Sequence, residues 1–107
     1  MYSVGIDIIE IKRLKNEVEF VKRILSPEEI KLYNEQSSMR QQEFIAGRWA
    51  LKEAIFKALP QEKLIFHNIN ISYNEWQQPV VIIKDYKLLL SLSHNQTSAI
   101  AIAIVIA

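Results

Sequence analysis

The sequence predicts an α+β fold in which a long central helix and shorter helices pack on a curved antiparallel sheet. A helical pattern extends from about Met39 to Leu59 and ends at Pro60, because the residue before a proline avoids helical geometry. Alternating apolar runs lie near both ends of the chain. The runs in the second half are joined by short turns, which suits antiparallel strands, since these need no crossover helix.

Composition indicates one small domain, residues 1–107, of which 50% are hydrophobic. The formal net charge of +1 argues against a general nucleic-acid binder, which concentrates more positive charge. The absence of cysteine excludes a disulfide framework, a thiolate zinc site and cysteine catalysis. The start of the chain does not resemble a secretory signal, and the longest apolar run, 99–107, is about half of a membrane span. We therefore expect a soluble cytoplasmic protein with no membrane partner.

The first element is predicted to be a strand from Ser3 to Ile11, whose alternation places Gly5 and Asp7 on one face. Aspartate is depleted in strands, so Asp7 is either a strand-edge carboxylate facing water or a functional group. A basic stretch follows and predicts a short helix near residues 18–25. It is either a solvated surface or a docking site for an acidic partner. Its cations are Lys12, Arg13, Lys15, Lys22 and Arg23.

The second helix has a clear start. Ser26 stands at the N-cap, Pro27 at the first helical position, and Glu29 three residues after Ser26, as in a capping box. This helix should end near residues 36–38.

The central helix carries charges in unusual places. Arg48 and Lys52 fall within its apolar stripe, where they need a partner anion or a path to water. Glu53 and Lys57 are one turn apart and form either a surface pair or part of a site for a polyanion. The remaining face has small residues that allow close packing, namely Ala46, Gly47, Ala50 and Ala54.

The second half predicts strands at residues 64–73 and 79–83, and a strand from Leu88 that ends near His94. A turn at 94–98 leads to the last strand, in which isoleucines and alanines alternate. The small face of the central helix is one candidate partner for the alanine row. His94 alone is more typical of a structural or surface residue than of a catalytic one.

Two carboxylates and several cations in one small domain are the groups needed to hold a divalent metal and a phosphate-rich ligand. Hard oxygen ligands suit Mg²⁺, which uses one or two protein carboxylates and completes its shell with water and phosphates. The carboxylates are Asp7 and Glu53, and the cations include Arg48, Lys52 and Lys57.

Four collinear segments resemble the holo-acyl-carrier-protein synthase family, the small bacterial type of 4′-phosphopantetheinyl transferase. The resemblance spans nearly the whole chain. The segments read GIDIIEI from Gly5, RILS from Arg23, EFIAGRWA from Glu43 with KEA at 52–54 and KA at 57–58, and SLSH from Ser91.

The resemblance implies a magnesium-dependent transfer of phosphopantetheine from coenzyme A to a serine of apo acyl carrier protein, with release of adenosine 3′,5′-bisphosphate. Asp7 and Glu53 would be the metal ligands. Lys57 would contact the phosphates and assist the leaving group, while Glu53 or a water on the metal takes the serine proton.

The same resemblance implies contacts for both substrates. Arg48 and His94 would hold the coenzyme A nucleotide together with Arg40, Lys52, Lys57 and Ser93. Members of the family are similar in forming trimers with the active site between subunits, so His94 would act on a neighbour's ligand. The acidic carrier protein would face Arg13, Lys22 and Arg23.

The chain departs from the family after the central helix. Family members commonly have a glycine-containing loop beside the phosphates, whereas this chain has LPQEK at 59–63. Either Lys63 replaces amide contacts by charge in a shortened loop, or coenzyme A binding is weak. Two rival functions are a non-catalytic module that binds coenzyme A or carrier protein, and a structural or assembly domain whose charges are surface pairs.

Overall fold

The structure is a computed structural model that describes residues 2–14 and 17–106, so Lys15 of the basic stretch and Ala107 of the last predicted strand lie outside the described residues. Three short 3-10 turns lie at Ile11–Arg13, Pro60–Glu62 and Phe66–Asn68. The helices are α1 (Val18–Ile24), α2 (Pro27–Asn34) and α3 (Ser38–Ala58), and the strands are β1 (Tyr2–Glu10), β2 (Ser72–Tyr73), β3 (Pro79–Val80), β4 (Lys87–His94) and β5 (Ser98–Ile106).

The predicted α+β fold is confirmed. An antiparallel sheet has the strand order β1-β5-β4, and β2 pairs with β3 in a separate hairpin. Asp7 lies opposite Ala101 of β5, which lies opposite Leu92 of β4 on its other side. Helix α3 packs on one face of this sheet.

Small residues bring α3 close to the sheet. The alanine row of β5 is buried against the helix side, as the alternation predicted. A Cβ on Gly5 would lie 1.9 Å from the Ala54 carbonyl oxygen, so β1 touches the helix backbone at its C-terminal half. A Cβ on Gly47 would instead lie 2.9 Å from Leu92 Cδ2. Helix α3 therefore crosses the sheet from β4 at Gly47 to β1 at Ala54.

The opposite face of the sheet is apolar and exposed. Tyr2 is 79% exposed and Ile8 is 66% exposed, although both lie on a strand with a paired neighbour. The other large apolar side chains exposed on this face are Val4, Ile6, Leu89 and Ile100.

The helix predictions are confirmed to within a residue or two. Ser26 accepts a hydrogen bond from the Glu29 amide, and the Glu29 side chain accepts one from the Ser26 amide, which completes the capping box. Helix α3 starts at Ser38 and ends at Ala58, just before Pro60. In the described part of the chain, no helix combines the length and the apolar character needed to cross a bilayer.

The predicted strand at 64–73 is wrong for most of its length. Only Ser72 and Tyr73 pair with another strand, and a 3-10 turn occupies 66–68. The carbonyls of Phe66 and Ile69 accept hydrogen bonds from Lys52 Nζ at 3.0 and 2.7 Å. Because these backbone groups face a buried cation, they are not available to a sheet ladder.

The strand predicted at 79–83 is shorter than expected, since only Pro79 and Val80 are paired. The side chain of Asn74 accepts hydrogen bonds from the amides of Trp76 and Gln78 and so closes the loop before it. Gln77 in this loop has a φ of 61°, a left-handed backbone that glycine adopts at less cost.

Candidate active site

Asp7 meets Lys57 where β1 packs on α3. Lys57 Nζ lies 3.2 Å from Asp7 Oδ1 and donates a second hydrogen bond to the Ile6 carbonyl at 3.0 Å. The Asp7 side chain is 17% exposed, whereas that of Lys57 is 52% exposed. Asp7 thus faces the helix rather than open solvent, whereas the Lys57 side chain is accessible along about half of its surface.

Glu53 lies on α3 one turn before Lys57 and is half-buried. Trp49 Nε1 donates a hydrogen bond to Glu53 Oε1 at 3.1 Å, which fixes the carboxylate beside the indole. Strand β1 touches this part of α3 on both sides of Asp7, because Gly5 contacts Ala54 and Ile9 lines a cavity with Trp49. The two carboxylates therefore lie on the same side of the molecule.

The donor set of this site suits Mg²⁺. Asp7 and Glu53 offer hard carboxylate oxygens, and Mg²⁺ commonly binds through one or two such groups while water and phosphates complete its shell. Among residues 2–14 and 17–106, no group of three or more His, Asp or Glu side chains is close enough to enclose a metal. Asp7 and Glu53 are thus the two carboxylates of this site that could serve as metal ligands.

A groove lined by aromatic residues runs from Glu53 toward the basic stretch. It consists of two adjoining cavities of about 410 and 490 Å³, which share Phe20, Arg23 and Trp49. Phe20 and Trp49 stack with ring centroids 4.7 Å apart. Arg13 lines the second cavity, whereas Lys22 lines a different cavity between α1 and α2. The structure thus separates Lys22 from Arg13 and Arg23.

A third cavity, of about 190 Å³, lies at the β4 edge and is lined by Arg40, Arg48 and His94. The Arg48 guanidinium makes cation–π contacts with Phe44 and Tyr73, with its carbon 4.2 and 4.9 Å from the two ring centroids. Three side chains that carry or can carry positive charge thus face one small space, which we call the cationic cavity, and Glu43 is the one carboxylate among the described residues that line it. Ser93 is exposed at this end of β4 but does not line the cavity.

Lys52 is located in the core instead of at a ligand surface. Its side chain is 0% exposed, and Nζ lies 2.5 Å from Glu29 Oε1. The ammonium also donates to the backbone carbonyls of Ile24, Phe66 and Ile69. Burial lowers the pKa of Lys52, and the Glu29 carboxylate partly offsets this. The ligand contact expected for Lys52 does not fit this geometry, because its donors are already used.

Glu29 is the site residue that sequence reasoning missed. It is the anion that the misplaced cations Arg48 and Lys52 required, and it is fully buried. The available signal was the capping box, which places Glu29 at the start of a helix next to the central one. A capping glutamate is usually at the surface, so its sequence position alone does not reveal this second role.

The carboxylates and the cationic cavity lie on different edges of the sheet. Asp7 is on β1 and His94 is on β4, with β5 between them. Two interstrand spacings separate their backbones by roughly 10 Å. Within one chain, Asp7 contacts Lys57, and Glu53 lies one helical turn before Lys57, whereas Arg40, Arg48 and His94 form a second group.

Comparison with known proteins decides the family. The model of the 4′-phosphopantetheinyl transferase superfamily matches residues 3–105. The chain belongs to this superfamily. Holo-[acyl-carrier-protein] synthase of Mycoplasma mycoides subsp. mycoides is 44% identical over 103 residues, which cover 95% of this chain and 92% of that protein. Holo-[acyl-carrier-protein] synthase of a Geobacillus species is 38% identical over 113 residues and covers 96% and 94% of the two chains.

Solved structures from the superfamily agree with the fold. Holo-(acyl-carrier-protein) synthase from Bacillus anthracis, in complex with CoA (3′,5′-ADP), superposes with a TM-score of 0.88 at 31% identity and covers 96% of this chain and 94% of that chain. Holo-[acyl-carrier-protein] synthase from Helicobacter pylori, in complex with coenzyme A, has a TM-score of 0.81 at 33% identity and covers 96% and 99%.

The loop after α3 contains a residue with a left-handed backbone conformation, although the loop has no glycine. Lys63 follows the 3-10 turn with φ 50° and ψ 52°, a left-handed conformation that glycine adopts more easily. Glu62 connects this turn to the segment just before β4 through an ion pair with Lys84 at 2.5 Å and a short hydrogen bond from the Tyr86 hydroxyl. These contacts lower the pKa of Glu62, with the Lys84 hydrogen bond as the first cause. The loop therefore has a defined shape with an exposed lysine at its end.

Proposed function

We propose that this protein is a magnesium-dependent holo-acyl-carrier-protein synthase. It transfers 4′-phosphopantetheine from coenzyme A to a serine of apo acyl carrier protein and releases adenosine 3′,5′-bisphosphate. The observation that carries the proposal is the contact of Asp7 with Lys57, one helical turn from the Glu53 that lines the aromatic groove, in a chain similar to holo-[acyl-carrier-protein] synthases. A single domain, a cytoplasmic location and a role in lipid synthesis remain predictions.

Asp7 and Glu53 are the proposed Mg²⁺ ligands. Bound there, the ion supplies neutralisation of negative charge on the coenzyme A diphosphate. Phosphoryl-type transfer depends on positioning and charge stabilisation more than on covalent chemistry by the protein, which explains why the proposal needs no protein nucleophile. Trp49 holds Glu53 in place through its indole hydrogen bond.

The proposed transfer step uses the serine hydroxyl of the carrier protein. Its oxygen forms a bond to the phosphorus that carries pantetheine, and the bond from this phosphorus to the bridging oxygen of the diphosphate breaks. Glu53 accepts the serine proton. Lys57, whose side chain is half exposed, donates a hydrogen bond to the phosphate oxygens and stabilises the departing adenosine 3′,5′-bisphosphate.

The cationic cavity is the proposed seat of the coenzyme A nucleotide. Arg40, Arg48 and His94 line it and suit a terminal phosphate. Ser93 is exposed beside it and is a secondary candidate contact. In this proposal Lys52 does not contact coenzyme A but stabilises the core, since its ammonium is enclosed by protein oxygens.

A trimer with sites between subunits is part of the proposal. The carboxylates and the cationic cavity lie on different strands of one sheet, so neighbouring copies are a natural way to complete each site. The exposed apolar sheet face provides a surface for such association. Arg13 and Arg23 at the groove are the proposed contacts for the acidic carrier protein, and Lys22 is a peripheral one.

The transfer assay tests the proposal, with Glu53→Gln as the deciding variant. We expect wild-type protein with Mg²⁺ to add one phosphopantetheine unit to apo carrier protein, as read by mass spectrometry. Glu53→Gln should lower the rate at least about 100-fold, because it removes both a metal ligand and the proton acceptor. Glu35→Gln, an equal charge change at the end of α2, should retain normal rates. Near-normal transfer by Glu53→Gln would remove Glu53 from the chemistry.

A non-catalytic module that binds coenzyme A or carrier protein is the second candidate, favoured by the departure at 59–63. Titration calorimetry run beside the transfer assay separates the two functions. Binding of coenzyme A without product under any metal condition would support the module and refute the enzyme.

A further inference from the structure

Glu29 is a fully buried carboxylate at the start of α2, and both of its oxygens are engaged. Oε1 accepts hydrogen bonds from the Ser26 amide at 2.9 Å and from Lys52 Nζ at 2.5 Å. Oε2 accepts from the Ile71 amide at 3.0 Å and lies 3.4 Å from Arg48 Nε. One side chain thus connects α2, α3 and the segment before β2.

The two cations that meet Glu29 have different surroundings. Lys52 is enclosed, and its ammonium contacts only this carboxylate and backbone carbonyls. Arg48 is held along one edge by Glu29 and by the Ile71 carbonyl, which accepts from Nη2 at 3.3 Å. Its guanidinium also lines the cationic cavity with Arg40 and His94. Arg48 therefore connects the buried cluster to the space proposed for the nucleotide.

Charge in this cluster is not balanced internally. One carboxylate faces two cations, and an unpaired charge is costly in a low-dielectric environment. Arg48 is only 7% exposed, and the part of it that lines the cationic cavity is where an anion would approach. Glu43 lines the same cavity but is exposed, so an anion bound against Arg48 would still reduce the imbalance of the buried cluster. Removal of Glu29 would increase the imbalance and would also free the guanidinium edge that the carboxylate now fixes.

We propose that Glu29 is a positioning residue for nucleotide binding, which holds the Arg48 guanidinium in the orientation that faces the cationic cavity. This inference rests on the proposed function, because it assigns the cavity to coenzyme A. Glu29 touches no substrate itself. It acts through Arg48. The rings of Phe44 and Tyr73 contact the flat guanidinium, but the direction in which its N–H groups point is fixed by hydrogen bonds to Glu29 and the Ile71 carbonyl.

The test measures the affinity of the full chain for adenosine 3′,5′-bisphosphate by titration calorimetry, a readout that needs no transfer. We expect Glu29→Gln to raise the dissociation constant at least about tenfold, since an unfixed cation must be reordered by the ligand. Glu28→Gln is the matched control, because Glu28 is exposed on the same helix and its carboxylate accepts a hydrogen bond from the Asn70 side-chain amide, not from Arg48 or Lys52. It should bind as tightly as wild type.

A double-mutant cycle distinguishes positioning from a general structural effect. If Glu29 acts through Arg48, Glu29→Gln should weaken binding in the wild-type background and have little further effect on Arg48→Ala. In transfer kinetics, Glu29→Gln should raise KM for coenzyme A more than it lowers kcat. Equal losses from Glu29→Gln in both backgrounds would overturn the positioning role.

Folding of the variants is checked by circular dichroism before binding is measured. If Glu29→Gln does not fold, Glu29→Asp keeps the charge but withdraws it by one methylene, and it should still weaken nucleotide binding only when Arg48 is present. Unchanged affinity in a folded Glu29 variant beside a wild type that binds overturns this inference alone. A wild type that neither binds the nucleotide nor transfers phosphopantetheine overturns the proposed function.

Discussion

Gly5 allows Asp7 to reach the central helix. The backbone of α3 lies so close that a Cβ at position 5 would be 1.9 Å from the Ala54 carbonyl oxygen and 2.8 Å from the Ala58 amide nitrogen. Neither atom belongs to a flexible side chain, so any larger residue must move the strand from the helix. Asp7 is two positions further on the same strand face, and its contact with Lys57 depends on that approach.

The two glycines of the chain provide a matched pair of substitutions. Gly5→Ala should lower the free energy of unfolding by about 3 kcal/mol, because overpacking against backbone forces a shift. Gly47→Ala should stay within about 1 kcal/mol of wild type, since its Cβ meets only Leu92 Cδ2 and a helical alanine is favoured over glycine. Urea denaturation gives both values. We also expect Gly5→Ala to lose transfer activity, and equal stability of the two variants would contradict the close approach.

At the scale of elements, the sequence predicted what depends on local chemistry. The capping box at Ser26 and the helix end before Pro60 depend only on residues close in sequence. The bounds of α2 and α3 were therefore predicted to within about two residues. The structure of residues 64–71 was not predicted correctly, because its backbone carbonyls accept hydrogen bonds from cations of α3 that are distant in the sequence. Alternating apolar residues indicate two faces but not the partner of each carbonyl.

The candidate site divides in the same way. Asp7, Glu53 and Lys57 followed from the motif, and the structure brings them to one side of the molecule. Glu29 could not be found by spacing, since its role requires α2 to pack beside α3 and bury the carboxylate. The motif also suggested a ligand role for Lys52, which instead binds the buried Glu29. A lysine in the sequence does not indicate whether its partner is a phosphate or a buried carboxylate.

The buried cluster predicts a large stability effect at Lys52. Lys52→Met should lower the free energy of unfolding by about 3–5 kcal/mol, because it leaves Glu29 and three carbonyls without their donor. Lys57→Met, on the same helix with a half-exposed side chain, should cost about 1 kcal/mol or less. Denaturant titration measures both.

A double variant tests whether the cluster acts as a unit. Glu29→Gln combined with Lys52→Met should be less destabilising than the sum of the single changes, since the two charges are removed together. Strict additivity would show that the two side chains are not coupled.

At the scale of the whole molecule, the arrangement separates the reacting groups from the groups proposed to hold the nucleotide. Asp7, Glu53 and Lys57 lie where α3 crosses β1, whereas Arg40, Arg48 and His94 lie where α3 begins over β4. A 21-residue helix spans about 30 Å, so its two halves serve different neighbours. Because the two groups are separate, a variant in one group can be combined with a variant in the other to test whether each site uses residues of two subunits.

Mixed subunits test this directly. Asp7→Asn and His94→Ala should each be inactive alone. In an equal mixture with free subunit exchange, about a quarter of wild-type activity should return, because most trimers are then mixed and each mixed trimer has one intact site. The transfer assay after co-expression gives the result, and size-exclusion chromatography confirms that the variants assemble. Absence of recovery from assembled mixed trimers would place each site within one chain.

The outward row of isoleucines on β1 has a consequence for how the protein behaves on dilution. In the proposed trimer this surface leaves water when copies associate, so the fraction of chains that bury it should follow mass action. We therefore expect specific activity to fall with protein concentration, and an assay at very low concentration to report the association constant as much as the chemistry.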